Sequence, residues 1–135
     1  MSEIFVFGSN LAGRHGKGAA LYARKNYGAI YGQGEGLQGC SYAIPTKEAN
    51  LRTLSLDAIT NHVCTFLEFA LSHPHMGFLI TPIGCGLAGY RQEQVWPMFD
   101  LPLPRNCVLH SDWEDRFCRA STEALPCGNN VDNVR

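Results

Sequence analysis

The chain has 135 residues, 45% of them hydrophobic and 17% charged, with a formal net charge of −1. That is the balance of one globular domain with a core of its own, and it excludes a nonspecific nucleic-acid surface. No apolar run approaches transmembrane length and no basic-then-apolar leader opens the sequence, so a cytoplasmic location without membrane contact is expected.

Ile4-Phe5-Val6-Phe7 has the length and the aromatic and β-branched make-up of a buried strand. A loop with Gly8, Gly13, Gly16 and Gly18 follows, then the helix formers Ala19 to Lys25. Strand, glycine loop, helix is the arrangement in which unpaired amides and the helix dipole converge on an anion. Glycines let a phosphate approach the backbone, and the polar residues among them, Ser9, Asn10, His15 and Lys17, could read a ribose, a base or a phosphate. The loop has neither the Walker A spacing nor the Rossmann register. The alternative is a tight turn whose glycines serve backbone geometry alone.

From Gly28 to Gly39 the chain is again glycine-dense, and nine of its fourteen glycines precede residue 40. This segment reads as a surface loop, either wrapped closely around something or a flexible insertion. Cys40 to Pro45 reads as a short strand, continued by Thr46-Lys47-Glu48. Leu56, Ile59, Val63, Phe66, Leu67 and Ala70 then fall on one helical face over Leu54–Leu71, with Ser55 or Thr53 as cap and Asp57 in the first turn. His62 reads as a helix-surface residue, and Pro74 between His73 and His75 marks a turn rather than a metal site.

Gly77 to Thr81 is the most strand-like run and suits a central parallel strand. It leads into a second glycine loop, Pro82-Ile83-Gly84-Cys85-Gly86-Leu87-Ala88-Gly89. Two such loops at the carboxyl ends of neighbouring strands would face each other across one cleft. A helix from Arg91 to Phe99 is short, kinked or late-starting because of Pro97. Asn106 to His110 reads as the last strand. The scattered cysteines read mostly as small apolar residues of a reduced compartment, Cys85 included, and no spacing suggests zinc.

The order of elements predicts an α/β protein: a three-layer α/β/α sandwich with a mostly parallel sheet. Residues 1–119 form the single domain. Residues 120–135 form a C-terminal tail with few large apolar groups, whose aromatic approach, Trp113 and Phe117, could pack one helical turn onto the sheet.

Taken in order, the motifs resemble a compact macrodomain, in the branch of ADP-ribosyl-glutamate hydrolases and antitoxins that remove ADP-ribose from DNA, and also macro-like proteins of phages and bacteria. The resemblance rests on Asn10, on Gly16-Lys17-Gly18-Ala19-Ala20-Leu21 opening a helix with Arg24, Lys25 and Tyr27, on Pro45-Thr46-Lys47, and on Pro82-Ile83-Gly84-Cys85-Gly86 before Val95 and Met98. It spans roughly residues 4–110. It implies that the ligand is ADP-ribose or a related NAD-derived nucleotide, free or on a modified protein or nucleic acid, with no cofactor and no metal. The implied ligand-binding residues are Gly8, Ser9, Asn10, Gly16, Lys17, Gly18, Ala19, Ala20, Thr46, Pro82, Ile83, Gly84, Cys85, Gly86 and Leu87. The pyrophosphate would lie on the amides of the two glycine loops, and Asn10 would reach the distal ribose. For the hydrolases the resemblance further implies a helix lysine as nucleophile, here Lys25, with His15 or Glu93 for the acid/base step. The acidic position after Gly-Cys-Gly is Ala88, so the tail residues Glu123 and Asp132 are rival acids. Three readings stand: a nucleotide-binding module, a hydrolase, and a structural protein with an empty cleft.

Overall fold

The computed structural model describes residues 3–100 and 103–118. Its elements run β1 (Glu3–Asn10), α1 (Gly18–Asn26), β2 (Gly36–Gln38), β3 (Ser41–Lys47), α2 (Leu56–Ser72), β4 (Gly77–Ile80), α3 (Gln92–Val95) and β5 (Cys107–Leu109). One five-stranded sheet has the order β2-β3-β1-β4-β5, and every pairing is parallel except β2 with β3.

The alternation of β1 divides the core in two. Ile4 and Val6 join Tyr42, Ile44, Phe78 and Ile80 under α2 and α3, while Phe5 and Phe7 join Ala43 under Ala20 and Ala23 of α1. Helices therefore cover both faces, and the three-layer α/β sandwich read from the sequence is the fold. α2 buries Ile59, Val63, Phe66 and Ala70, which recur at helical spacing, and Ser55 caps it by accepting from the Ala58 amide at 3.1 Å. Phe66 meets Phe78 edge to face at 5.4 Å between centroids.

Pro97 has the effect its chemistry requires. α3 stops at Val95, and Trp96–Phe99 tightens to a 3-10 turn in which Pro97 stands near the start, where no intrahelical amide is needed. Trp113 and Phe117, the latter in a helical turn over 115–118, are buried against Trp96 and Phe99, and the Trp113 indole donates to the Ile80 carbonyl at 2.9 Å.

The glycine-dense segment 28–39 is neither wrapped around the cleft nor a loose insertion. It carries the short edge strand β2 and packs backbone to backbone on the first glycine loop. The Gly32 amide donates to Gly13 O at 2.8 Å, and the Ser9 hydroxyl donates to Gly34 O. A Cβ on Gly13 would overlap the Gln33 backbone, and one on Gly34 would overlap the Asn10 carbonyl. Gly13 and Gly34 thus permit chain-to-chain contact rather than ligand contact. Cys107 is buried as expected, whereas Cys40 and Cys64 are exposed and add nothing to the core. The tail 120–135, with Glu123 and Asp132, lies outside the described residues. Among the described residues, no helix is long and apolar enough to cross a membrane.

Candidate functional site

A cleft of about 1140 Å³ opens over the carboxyl ends of β3, β1, β4 and β5. One wall is the N-terminus of α1. Lys17 is its N-cap residue and makes no side-chain capping bond, so its side chain leaves the first amides of the helix uncapped, and Gly18, Ala19 and Ala20 line the cleft. The facing wall is the loop after β4, where Gly84, Cys85, Gly86 and Leu87 line the same space. That loop is held by the Tyr90 amide to Gly84 O at 2.8 Å and the Gly89 amide to Gly86 O at 3.0 Å.

The floor is a register break. Ser9 of β1 pairs with Pro45 and Asn10 pairs with Lys47, so β3 has one extra residue, Thr46. The Thr46 hydroxyl donates to Ser9 O at 3.2 Å, and its side chain stands 3.4 Å from where a Cβ on Gly8 would be. Asn10 holds the loop in shape: its side-chain oxygen accepts from the Arg14 amide at 2.9 Å and its nitrogen donates to Arg14 O at 3.0 Å. This loop is therefore set before any ligand enters.

All fifteen residues expected to contact ligand line the cleft. The two expected catalysts do not. His15 is fully buried beneath the loop, edge-on to Phe7, with Nε2 donating at 3.1 Å to both Gln33 O and the Gln38 side-chain oxygen. Gln38 Oε1 is fixed as an acceptor by the Ile30 amide at 2.8 Å, which sets the imidazole tautomer. Lys25 follows the buried Ala23 by two residues, about 200° around the helix, and is exposed outside the cleft. Glu93 is also outside, in ion pairs with Arg116 at 3.3 Å and Arg91 at 4.0 Å. The lysines that do line the cleft are Lys17 and Lys47.

Three cations, Arg14, Lys17 and Lys47, and one carboxylate, Asp112, belong to the described lining, which favours an anion. The sequence reading passed over Asp112, His110 and Gln92. Gln92 donates to Asp112 O at 3.1 Å and accepts from the Glu114 amide at 2.8 Å, clamping the turn after β5 to α3. The Asp112 amide donates to His110 Nδ1 at 2.9 Å, leaving Nε2 with the proton of the neutral ring. Beside α1 the lining includes Phe5, Tyr22, Tyr27 and Leu79, an aromatic patch in which Phe5 is stacked on Tyr27 at 4.6 Å. Cys85 is half-buried, and desolvation, helped by the charge of Glu114, pushes its thiol up to about 11. It is neutral at pH 7 and unsuited to nucleophilic attack.

The layer order, the loop-to-helix wall and the glycine loop after β4 together define a macrodomain fold. The macrodomain of DarG from Mycobacterium tuberculosis superposes with a TM-score of 0.57 at 19% identity, covering 80% of this chain and 88% of that one. A protein of unknown function from Bacteroides thetaiotaomicron superposes with a TM-score of 0.54 at 18% identity, covering 73% of this chain and 78% of that one. At such identities the likeness is one of fold. No protein-family model matches the sequence, and no curated protein matches it.

Proposed function

We propose that the cleft binds ADP-ribose or a closely related NAD-derived nucleotide. The observation that carries this reading is the pair of facing backbone walls: the uncapped start of α1 at Gly18–Ala20 opposite Gly84–Gly86, with three cations around them. Such walls suit a pyrophosphate, which takes hydrogen bonds from amides and positive charge from a helix N-terminus. The aromatic patch beside α1 suits a planar base, which gains from aromatic and aliphatic neighbours. The far end, by Asn10, Thr46 and Lys47, is left for the second sugar. The macrodomain fold and the sequence motifs support the same ligand.

Hydrolysis of an ADP-ribosyl bond is the second reading, and Lys47 favours it by placing an amine at the sugar end of the cleft. It would replace Lys25 as the attacking group. The leaving group would still need a proton, and the acidic position is Ala88. Asp112 follows β5, three strand positions from β3, so the strands that carry it and Lys47 lie roughly 14 Å apart at the usual spacing. That arrangement does not favour direct assistance of the lysine by the carboxylate, and binding without turnover is the reading we draw from it.

Titration calorimetry with free ADP-ribose, followed by release assays on ADP-ribosylated protein and DNA, tests both readings. Saturable binding without release supports the module. Release supports the hydrolase, and absence of binding refutes both.

A further inference from the structure

After β3 the chain turns back on itself. Lys47 bridges to Thr53, the Glu48 amide donates to Arg52 O at 2.7 Å, and the Leu51 amide donates to Glu48 O at 2.9 Å. A three-residue loop closed in this way, here Ala49-Asn50-Leu51, brings its last residue into the left-handed region, where glycine or asparagine sits at the lowest cost. That residue is Leu51, at a φ of 71°, the one non-glycine residue with positive φ among the described residues. Asn50, which would tolerate the conformation, stands one position too early, and its side-chain oxygen accepts from the Arg52 amide at 3.1 Å. The loop therefore holds a leucine where its backbone favours another residue.

Core packing does not account for that leucine, which is 45% exposed. Of the three loop residues it alone lines the cleft. Nor is the turn free to relax. Thr53 Oγ1 donates to Ala88 O at 3.0 Å and Tyr90 Oη donates to Leu54 O at 2.7 Å, which fasten its base to the glycine loop after β4. Backbone strain that the surroundings hold in place gathers at ligand-binding sites. Leu51 is such a residue, at the end of the cleft that β3 supplies with Thr46 and Lys47.

On the nucleotide reading above, this end receives the second sugar. Lys47 can donate to its hydroxyls, but a furanose also carries a face of carbon-bound hydrogens. A leucine makes no hydrogen bond, and what it does for a ligand is to exclude water from carbon. We infer that Leu51 is a specificity-determining residue: it covers the carbon-bound face of the terminal ribose and so separates ADP-ribose from nucleotides that end at the second phosphate.

The test compares ADP-ribose with ADP by calorimetry in the wild-type protein, Leu51→Asn and Leu51→Met, with melting temperatures measured alongside. Leu51→Asn relieves the backbone and should melt above the wild type. Its ratio of ADP-ribose to ADP affinity should nevertheless fall about fivefold, the loss expected from uncovering roughly 40 Å² of apolar surface. ADP has no second sugar, so its own affinity should not change. Leu51→Met keeps both the strain and an apolar side chain, and should keep the wild-type ratio and melting temperature. An unchanged ratio in Leu51→Asn overturns the role of Leu51 while leaving the nucleotide reading in place. A Leu51→Asn protein that melts no higher than the wild type overturns it as well, because the leucine is then not held at a cost. Failure of the wild-type protein to bind ADP-ribose overturns the nucleotide reading and this inference together.

Discussion

Gly18 and Leu87 meet across the cleft: a Cβ on Gly18 would stand 3.3 Å from Leu87 Cδ1. Gly18 also has a φ of 59°, in the left-handed region. Both facts bear on one substitution. Gly18→Ala should lose about 1–2 kcal/mol of stability from the backbone alone and should also press on the facing loop. Urea denaturation checks the first effect, and it should be absent in Gly16→Ala, where φ is not positive and nothing lies within 4 Å of the added carbon. Equal stability of the two variants would contradict the conformation assigned to Gly18.

His15 holds the first glycine loop to the segment behind it. His15→Ala removes a fully buried ring and one of the two donors to each of Gln33 O and Gln38 Oε1, which keep the Gln38 side-chain nitrogen and the Ile30 amide. A loss of about 2–4 kcal/mol is expected. Denaturation should show it directly. A variant of unchanged stability that had lost only turnover would return His15 to a catalytic role.

The two lysines should separate cleanly. Lys47→Ala removes a cation from the cleft and should weaken ADP-ribose binding about threefold to tenfold, as one partly exposed charge contact would. Lys25→Ala should leave affinity, and any turnover, unchanged, because its side chain is exposed outside the cleft. If turnover is found, it should vanish with Lys47. Loss on replacing Lys25 alone would reverse the assignment.

Alkali should weaken the protein. Burial pushes the Cys107 thiol up to about 12 from an ordinary 9, and burial with the nearby Glu114 charge pushes Cys85 up to about 11. Tyr42 rises to about 12 from 10, through burial first and Glu35 second. In each case the folded state keeps a proton that the unfolded chain has released. Stability is therefore full below pH 9 and falls as pH rises from 9 toward 12. Melting temperatures across that range should drop, and Cys107→Ala should flatten the first part of the slope relative to its own neutral value.

Much of this molecule could be read from its residues, because most of its signals are local. The apolar alternation of β1, the spacing of Ile59, Val63, Phe66 and Ala70, and the break at Pro97 each depend on neighbours in the chain. The two glycine loops were legible for the same reason. What escaped was decided by contacts distant in sequence. His15 looks like a loop residue until Gln33 and Gln38, 18 and 23 positions on, close over it. The glycines of 28–39 look like ligand contacts until Gly34 is found against the backbone of Asn10 and Leu11, and Gly28 against Gly39. Lys47 and Lys25 are indistinguishable as exposed-type residues, and only the register break at Thr46 delivers the former to the cleft edge. Asp112 and Gln92 carry no motif at all. Their place follows from α3 packing beside the turn after β5.

The most direct measurement is the affinity of ADP-ribose for the wild-type protein and for Gly86→Val. Gly86 lines the cleft, has no positive φ, and an added Cβ there meets nothing within 4 Å, so a side chain can be added beside the ligand space without backbone strain or a clash at Cβ. Calorimetry should show saturable binding to the wild-type protein, and the variant should keep its melting temperature while losing that binding. A folded Gly86→Val protein that binds ADP-ribose as well as the wild type, or a wild-type protein that does not bind it, would contradict the nucleotide site.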